Sequence, residues 1–482
     1  MPLPSWLLAL LIGIPAWELL RWQVVGRLRK GLEQRALAYV KAHQVQLEAG
    51  RFLDRIWIQQ RLLSDVELDQ EVASAARERG VPVRSLQLRV EDWIREMTPA
   101  FSLAAYYRFG AMVSKLVVGF AYELVFDRNS YVRATRGLPE GAIQVFVINH
   151  RSNADYIVLS YGLLRHMALS YAVGEWARVW PLDALFRSFG SFFIRRGEKD
   201  RLYHKVLERF VQVLIARGGT MGFFIEGGLS RDGLLRPPKA GLLDYIVGIR
   251  RQYPEREIVF IPVGLAYDRV LEDRMLLSEG ERAPGLTEKL TSLAGILVSF
   301  PRILLANLWG VAIRSHQKLG YAAVAVGQPV LLSTWEQGQP LATMPEELRR
   351  PRVKKLAADL LGHIAKVIPV TPVSLVAEAL LPGPVATATL RARVRDRLTE
   401  LRAAGRPIAR GRAFPEGEGE DSGIEGLDDA ISSAADAERT VDLALRLLRR
   451  RKLVRPVDGL WAVVPGAEGV LRYYARALVV VP

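Results

Sequence analysis

The sequence predicts an α/β protein with a mixed sheet in its middle part, a helical N-terminal region before it and a smaller C-terminal unit after it. The main observation is that short β-rich apolar runs alternate with helical patterns between about residues 141 and 270. This alternation is typical of a layered α/β domain. Ligands of such domains usually bind beyond the carboxyl ends of the strands.

Five apolar runs predict the strands, and the first four end in small or polar residues. They are IQVFVIN, LSYAVG, TMGFFIEGG, EIVFIPVGLAY and, at 321–335, YAAVAVGQPVLLSTW. Up to about residue 110 the chain instead places good helix formers and apolar residues at three- and four-residue spacing, which predicts helices. An acidic, glycine-rich stretch at about 415–426 predicts a linker before a last unit that ends in LRYYARALVVVP.

Composition narrows the class of protein. The chain has 482 residues, half of them apolar, which is enough for two or three packed regions. It has no cysteine, so disulfides, thiolate metal sites and a cysteine nucleophile are excluded. A net charge of +15 favours polyanions such as nucleic acid, anionic lipid or small phosphorylated substrates. The sequence has no zinc-finger spacing, RNP1 motif or basic region leading into heptads, so a nucleic-acid partner is not expected.

The first residues are strongly apolar. The run from Leu3 to Trp17 is followed by several arginines and a lysine, and it lacks the flanks of a secretory signal. It is short for a spanning helix, which needs about 20 residues, although its tryptophans are placed as interfacial aromatics would be. Residues 1–30 are therefore expected to anchor the protein to a membrane, with the bulk on the cytoplasmic face; a buried helix is the alternative.

A second apolar stretch runs from Leu293 to Ile313. Pro301 and Arg302 in its middle argue against a plain spanning helix. An interfacial or re-entrant segment in contact with membrane lipids is expected here, and a buried core helix is the alternative, because periodicity does not separate the two.

The stretch VFVINHRSNADYIVLSY contains the clearest candidate for chemistry. His150 follows a buried-strand pattern, and Asp155 lies in the first turn of the helix that comes next. Across the bend an imidazole N–H can meet the carboxylate, which fixes the tautomer and leaves the other nitrogen to accept a proton. The alternative is that both residues are polar caps on a turn. Among six histidines only His150 has this setting, so it is the candidate general base.

Two further strand ends carry residues suited to anions. Arginine side chains bind phosphate through two hydrogen bonds, and adjacent glycines allow a ligand to approach the backbone. Taken singly, these stretches are an ordinary solvated strand end and a tight turn. Together with the His150 bend they make three such loops in one α/β domain, which predicts a binding site for anionic ligands. The residues are Arg195 and Arg196 in GSFFIRRGEKD, and Glu226, Gly227, Gly228, Ser230 and Arg231 in FFIEGGLSRDG.

At these stretches the sequence resembles the glycerol-phosphate acyltransferase family, namely the bacterial glycerol-3-phosphate acyltransferases and their dihydroxyacetone-phosphate relatives. HRSNADY matches the family's His-x4-Asp block, GSFFIRR the second block, FFIEGGLSRDG the third and VFIPVGLAYDRVLED the fourth, in the family's order. The resemblance covers roughly residues 95–340. PGAEGVLRYYARAL, near the end, is similar to the closing segment of the bacterial enzymes.

The resemblance implies direct acyl transfer. His150 would deprotonate the 1-hydroxyl of glycerol 3-phosphate, Asp155 would orient His150, and the alkoxide would attack the thioester of an acyl-CoA or acyl carrier protein, giving lysophosphatidic acid. The sequence contains neither a Gly-x-Ser-x-Gly nucleophile elbow nor a His-Glu-x-x-His zinc motif, and no cofactor or metal is expected.

The resemblance also assigns residues to substrate binding. Arg196 and Arg231 would hold the phosphate, and Glu226 and Gly227 would shape the acceptor pocket. The full expected set is Arg151, Ser152, Phe193, Ile194, Arg195, Arg196, Glu226, Gly227, Gly228, Ser230, Arg231, Lys239 and Pro262. The expected organisation is a membrane anchor at 1–30, helices at 31–110, the catalytic domain at 111–340 and a C-terminal region at 341–482.

One position departs from the family. Leu229 stands where the third block usually carries an arginine before the serine, and Arg236 or Lys239 is the candidate replacement for its charge. The departure leaves lysophosphatidic acid and dihydroxyacetone phosphate open as alternative acceptors. An inactive, basic membrane-binding scaffold is the alternative of another class.

Overall fold

A computed structural model of the protein describes residues 55–99, 118–163, 170–174, 186–187, 190–195, 197–216, 220–280, 318–409 and 433–479. Both apolar segments expected to contact a membrane, 1–30 and Leu293–Ile313, lie outside these ranges, as does the expected linker at 415–426. Among the helices of the described ranges, none is both long enough and apolar enough to cross a bilayer.

The described part of the chain begins with three helices, α1 (Arg55–Leu63), α2 (Val66–Arg79) and α3 (Val83–Met97). The carboxylate of Asp65 accepts a hydrogen bond from the main-chain N–H of Leu68 and caps α2, which ends at Gly80 in the left-handed conformation. The apolar face of α3 buries Trp93 against Tyr203 of the following domain. These helices therefore cover the sheet domain rather than standing apart from it.

The centre of the protein is a mixed sheet, as the sequence predicts. Its strands are β1 (Glu123–Phe126), β2 (Ile143–Ile148), β3 (Ser170–Gly174), β4 (Phe192–Ile194), β5 (Met221–Phe224), β6 (Ile258–Tyr267), β7 (Tyr321–Val326) and β8 (Val330–Leu331). In the described ranges the strand order is β1-β7-β6-β2-β5-β3-β4, and β8 also pairs with β6. All pairs are parallel except those of β7 and β8 with β6. The carboxyl ends of β2, β4, β5 and β6 therefore share one edge.

Helices cover both faces of this sheet. They are α4 (Arg128–Thr135), α5 (Asp155–Leu163), α6 (Arg201–Ala216), α7 (Gly241–Val247), α8 (Asp273–Gly280), α9 (Leu332–Glu336), α10 (Glu346–Val367), α11 (Pro372–Leu380), α12 (Thr387–Ala403), α13 (Ser433–Arg450) and α14 (Glu468–Arg476). Alternation along β2 divides the core: Phe146 and Ile148 pack with α5, α11 and α14, whereas Val145 and Val147 pack with α3, α6 and α10.

The structure differs from the sequence prediction at two places in the sheet and at one place in the last unit. The fifth predicted strand is split, because Gly327 and Pro329 end β7 and the residues after β8 form the short helix α9. Strand β1 was not predicted. A hairpin of β9 (Val454–Val457) and β10 (Leu460–Val463) lies in the last unit and was not predicted either.

A buried carboxylate joins the sheet to the C-terminal helices. Asp268, directly after β6, accepts hydrogen bonds from the main-chain N–H groups of Tyr321, at 2.8 Å, and Val373, at 2.9 Å. Burial raises the pKa of Asp268 from 3.8 to about 6. Between pH 4 and 6 the folded protein therefore keeps a proton that the unfolded chain has released.

This raised pKa has a testable consequence for stability. Because the folded state binds more protons there, the free energy of unfolding falls as pH rises from about 4 to 6, by about 3 kcal/mol for this group. Asp268→Asn removes the ionisation. Denaturant unfolding of both proteins at pH 4 and pH 7 should show wild type losing stability relative to the variant; parallel curves would contradict the prediction.

Candidate active site

The bend between β2 and α5 holds the candidate base. His150 and Asp155 are almost completely buried, with 2% and 0% of their surfaces exposed. Nδ1 of His150 lies 2.9 Å from Oδ2 of Asp155. The hydrogen bond that the spacing predicts across this bend is therefore present.

Asp155 is held by more than the histidine. Its Oδ2 also accepts hydrogen bonds from the main-chain N–H groups of Arg151, at 2.8 Å, and Ser152, at 3.1 Å. Its Oδ1 accepts one from the hydroxyl of Tyr267, at 2.6 Å, at the end of β6. Burial and the Asp155 charge hold the pKa of Tyr267 well above its usual value, so this phenol remains a donor. These contacts fix the carboxylate in one orientation.

The imidazole of His150 is fixed on its faces as well. It stacks on Phe224, the last residue of β5, with ring centroids 4.0 Å apart and an angle of 19° between the planes. The edge of Tyr156 approaches it from α5. Within the described ranges no hydrogen bond is made to Nε2 of His150. With Nδ1 bound to Asp155, Nε2 is the nitrogen that remains to accept a proton.

Glu226 links the first block to the third. Its Oε1 accepts a hydrogen bond from the main-chain N–H of His150, at 2.8 Å, and its Oε2 accepts one from that of Arg236, at 2.6 Å. The main-chain oxygen of His150 in turn accepts from the N–H of Ser230, at 3.1 Å. Burial raises the pKa of Glu226, while the nearby Arg151 charge opposes the rise. Glu226 thus sets the distance between the two loops.

The turn of the third block lies under two cationic side chains. Gly227 adopts a φ of +63°, and a Cβ atom there would lie 2.6 Å from Cδ of Lys239. A Cβ at Gly228 would lie equally close to the guanidinium of Arg236, which also donates to the main-chain oxygen of Leu229, at 3.2 Å. Positive charge therefore covers the turn next to the position where the family's arginine is absent.

Arg151 and Ser230 hold the end of the third block through hydrogen bonds. The buried guanidinium of Arg151 donates to the main-chain oxygen of Gly233 at 2.6 Å. The hydroxyl of Ser230 donates to the main-chain oxygen of Leu234, at 2.7 Å, and accepts from the N–H of Gly233, at 3.1 Å. Arg231 is half-buried beside Ser230.

Glu272, in the fourth block, holds the remainder of the bend. It accepts hydrogen bonds from the hydroxyl of Ser152, at 2.8 Å, and from the main chain and side chain of Asn153, both at 3.2 Å. Burial raises its pKa. The hydroxyl of Ser152 is thereby committed to a structural hydrogen bond.

The second block lies on β4, which β5 and β3 separate from β2 in the sheet. Pro262 lies on the neighbouring strand β6. Phe193 is buried in β4 next to the half-buried Ile194, and the guanidinium of Arg195 binds Glu96 of α3, at 3.1 and 2.6 Å. Pro262 lies inside β6, opposite Val147, before the carboxyl edge is reached. Arg196 falls outside the described residues.

The site thus brings together a dyad and its supports. Of the predicted residues, His150, Arg151, Asp155, Glu226 and Ser230 are joined by the hydrogen bonds described above. Sequence reasoning did not single out Tyr267, Glu272 or Phe224. The first two lie within the quoted fourth block, GLAYDRVLED, and polar residues at the end of a buried strand were the signal that could have identified them.

Comparisons with known proteins find relatives for the part of the chain that contains this bend. Residues 130–266, which include the bend and the third block, match the family model described as Acyltransferase, and residues 305–443 match the Glycerol-3-phosphate acyltransferase C-terminal region. A glycerol-3-phosphate acyltransferase of Aeromonas hydrophila is 27% identical over 72% of this chain and 42% of its own. One from Xylella fastidiosa is 30% identical over 61% of this chain and 34% of its own. The chain spans less than half the length of these relatives.

Among solved structures, the 1-acyl-sn-glycerophosphate (LPA) acyltransferase of Thermotoga maritima aligns with a TM-score of 0.30 and 14% identity, over 64% of this chain and 97% of that one. The TM-score is too low for this alignment to support a common fold. The fold class follows from the mixed sheet and its helices.

The sheet, the bend and the first family match together define a protein that carries an acyltransferase domain. The second match and the relatives show a narrower similarity. They show that this chain is similar to glycerol-3-phosphate acyltransferases.

Proposed function

We propose that the protein transfers a fatty acyl group from an acyl thioester, acyl-CoA or acyl carrier protein, to the 1-hydroxyl of glycerol 3-phosphate. The observation that carries the proposal is the buried His150–Asp155 pair, in which one ring nitrogen is bound by an oriented carboxylate and the other is left for a proton. The two family-model matches and the relatives named glycerol-3-phosphate acyltransferase support the same reaction.

In this reaction Nε2 of His150 takes the proton of the 1-hydroxyl as its oxygen attacks the thioester carbonyl. The C–O bond forms, a tetrahedral intermediate follows, and the C–S bond breaks as it collapses. His150 then returns the proton to the leaving thiolate, so protons and charge balance. Asp155 stabilises the imidazolium in between. The protein supplies positioning and proton transfer, and the latter is typically worth about 10² to 10⁴-fold in rate.

The charges around the bend suit a phosphorylated acceptor. Arg236 and Lys239 cover the Gly227–Gly228 turn, and Arg231 lies half-buried beside it. Arg196, expected to hold phosphate, remains a proposal because it lies outside the described residues. The acceptor phosphate is assigned to this third-block turn.

The site of the reaction is proposed to be the cytoplasmic face of the cell membrane, because the product is a lipid. The apolar residues 1–30 and Leu293–Ile313 are the proposed contacts with membrane lipids. The catalytic domain is proposed to span 111–340, with 31–110 and 341–482 flanking it.

The direct test is an acceptor panel. Purified protein is incubated with labelled palmitoyl-CoA or palmitoyl acyl carrier protein and with glycerol 3-phosphate, dihydroxyacetone phosphate or lysophosphatidic acid in turn. Lysophosphatidic acid formed from glycerol 3-phosphate is the expected product. Preference for another acceptor would move the assignment to that substrate, and no transfer with any pair would favour an inactive scaffold.

The two cations over the turn provide a specific prediction. Arg236→Ala should raise the KM for glycerol 3-phosphate about tenfold and change the KM for the acyl donor little, because a charge-assisted hydrogen bond to the acceptor is lost. The main-chain N–H that binds Glu226 is retained in this variant. Adding Leu229→Arg to it should lower the KM again, since a guanidinium returns to the turn.

Arg256→Ala is the matched control, because its guanidinium binds main-chain oxygens of Gly141 and Ala216 at the opposite end of the sheet. Its KM values should equal those of wild type. An unchanged acceptor KM in Arg236→Ala would place the phosphate elsewhere.

A further inference from the structure

The C-terminal helix α14 lies against the third block. Gly233 has a φ of +89°, and a Cβ atom there would overlap the main-chain oxygen of Tyr473. The oxygen of the same glycine accepts the hydrogen bond from Arg151. Tyr473 is therefore in direct contact with the loop that Arg151 holds, although about 240 residues separate it from Gly233 in the chain.

The next tyrosine anchors this helix to the fourth block. The hydroxyl of Tyr474 donates to Oδ2 of Asp273, at 2.5 Å, and accepts hydrogen bonds from the main-chain N–H of Val270, at 3.0 Å, and from Arg451, at 3.2 Å. Its three partners give Tyr474 a complete structural role. They also fix where its neighbour Tyr473 lies.

Tyr473 is buried to the same degree but differs in its polar contacts. Only 3% of its surface is exposed, and its hydroxyl makes no hydrogen bond within the described part of the chain. Its main chain contacts the Gly233 loop that Arg151 holds, and the charges of Arg151, Asp273, Glu272 and Asp155 all act on the pKa of this phenol. A buried hydroxyl without a partner is costly, and a ligand oxygen beside it would supply the missing hydrogen bond.

We infer that the hydroxyl of Tyr473 donates a hydrogen bond to an oxygen of the phosphorylated acceptor, which makes the C-terminal helix part of the acceptor pocket. This inference rests on the proposed function. Tyr473 acts as a binding residue, and the dyad performs the proton transfer. The helix thereby couples the C-terminal unit to acceptor recognition.

The experiment compares Tyr473→Phe with Tyr474→Phe in the full chain. Tyr473→Phe removes a hydroxyl that has no partner among the described residues, so its Tm should equal that of wild type. Its KM for glycerol 3-phosphate should rise about tenfold, the loss expected for one hydrogen bond to a charged group, while the KM for palmitoyl-CoA stays unchanged. Tyr474→Phe should instead lower the Tm, because it removes the contact with Asp273.

The outcomes separate the two proposals. Active wild type together with an unchanged acceptor KM in Tyr473→Phe overturns the role of Tyr473 alone. A lowered Tm in Tyr473→Phe, with kcat reduced and KM unchanged, shows a structural role and also overturns it. Wild type that neither acylates glycerol 3-phosphate nor gains thermal stability from it overturns the proposed function, and the inference with it.

Discussion

His150→Ala should reduce acyl transfer to glycerol 3-phosphate by about 10² to 10⁴-fold, because it removes the proposed general base that Asp155 orients. Initial rates with labelled palmitoyl-CoA at saturating acceptor measure this loss. The KM for the acyl donor should change little. His204→Ala is the matched control, since both ring nitrogens of the partly buried His204 are already bound, to Tyr245 and to the main chain of Glu198. Its rate should remain within a few-fold of wild type.

Asp155→Ala tests whether the two residues act as one unit. Its rate should be about as low as that of His150→Ala, and the double variant should lose little more, because either change disables the same proton transfer. Asp155→Ala should also be less stable than His150→Ala. It leaves the N–H groups of Arg151 and Ser152 and the hydroxyl of Tyr267 without their acceptor, at about 1–3 kcal/mol each. Near-normal turnover in either single variant would contradict the dyad.

Gly233→Ala should be the most disruptive single-methyl substitution in the site. The new Cβ would overlap the main-chain oxygen of Tyr473, which cannot move without shifting α14. Left-handed backbone costs alanine about 1 kcal/mol, and the overlap adds roughly 1–3 kcal/mol. Thermal unfolding should show a clearly lowered Tm, and transfer activity should fall because the loop bound by Arg151 is displaced.

Gly197→Ala separates backbone strain from overlap. Gly197 has a φ of +83°, close to that of Gly233, but a Cβ there meets nothing within 4 Å among the described residues. It should lose only the stability due to strain. Equal Tm values for the two variants would show that α14 does not press on Gly233 as described.

Local patterns predicted the parts of the fold and the site that depend on neighbours in sequence. The strand-to-helix change around His150 lies within five residues of Asp155, so spacing alone predicts their hydrogen bond, and the structure contains it. The alternation of apolar runs likewise predicts the layered α/β domain. The domain bounds and the role of each substrate-binding residue stay predictions.

Contacts between residues that are far apart in the sequence could not be predicted from local patterns. Tyr267 meets Asp155 only because β6 pairs in parallel with β2, and no pattern in the sequence states which strands are adjacent. Arg195 was expected to bind phosphate. Its guanidinium binds Glu96 of α3, a residue about 100 positions away in the sequence. The first strand has four residues, too few for alternation to be distinguished from chance.

The contact between Gly233 and Tyr473 has a consequence for the timing of synthesis. At roughly 5–20 residues per second, the ribosome needs roughly 10 to 50 seconds to proceed from one to the other. During that interval the nascent sheet can already hold His150 against Asp155, while the Gly233 loop that Arg151 binds is not yet covered by α14. Under the proposed function, productive acylation would begin only after α14 has emerged and docked, so a partly translated chain would have its proposed base long before its proposed acceptor pocket is complete.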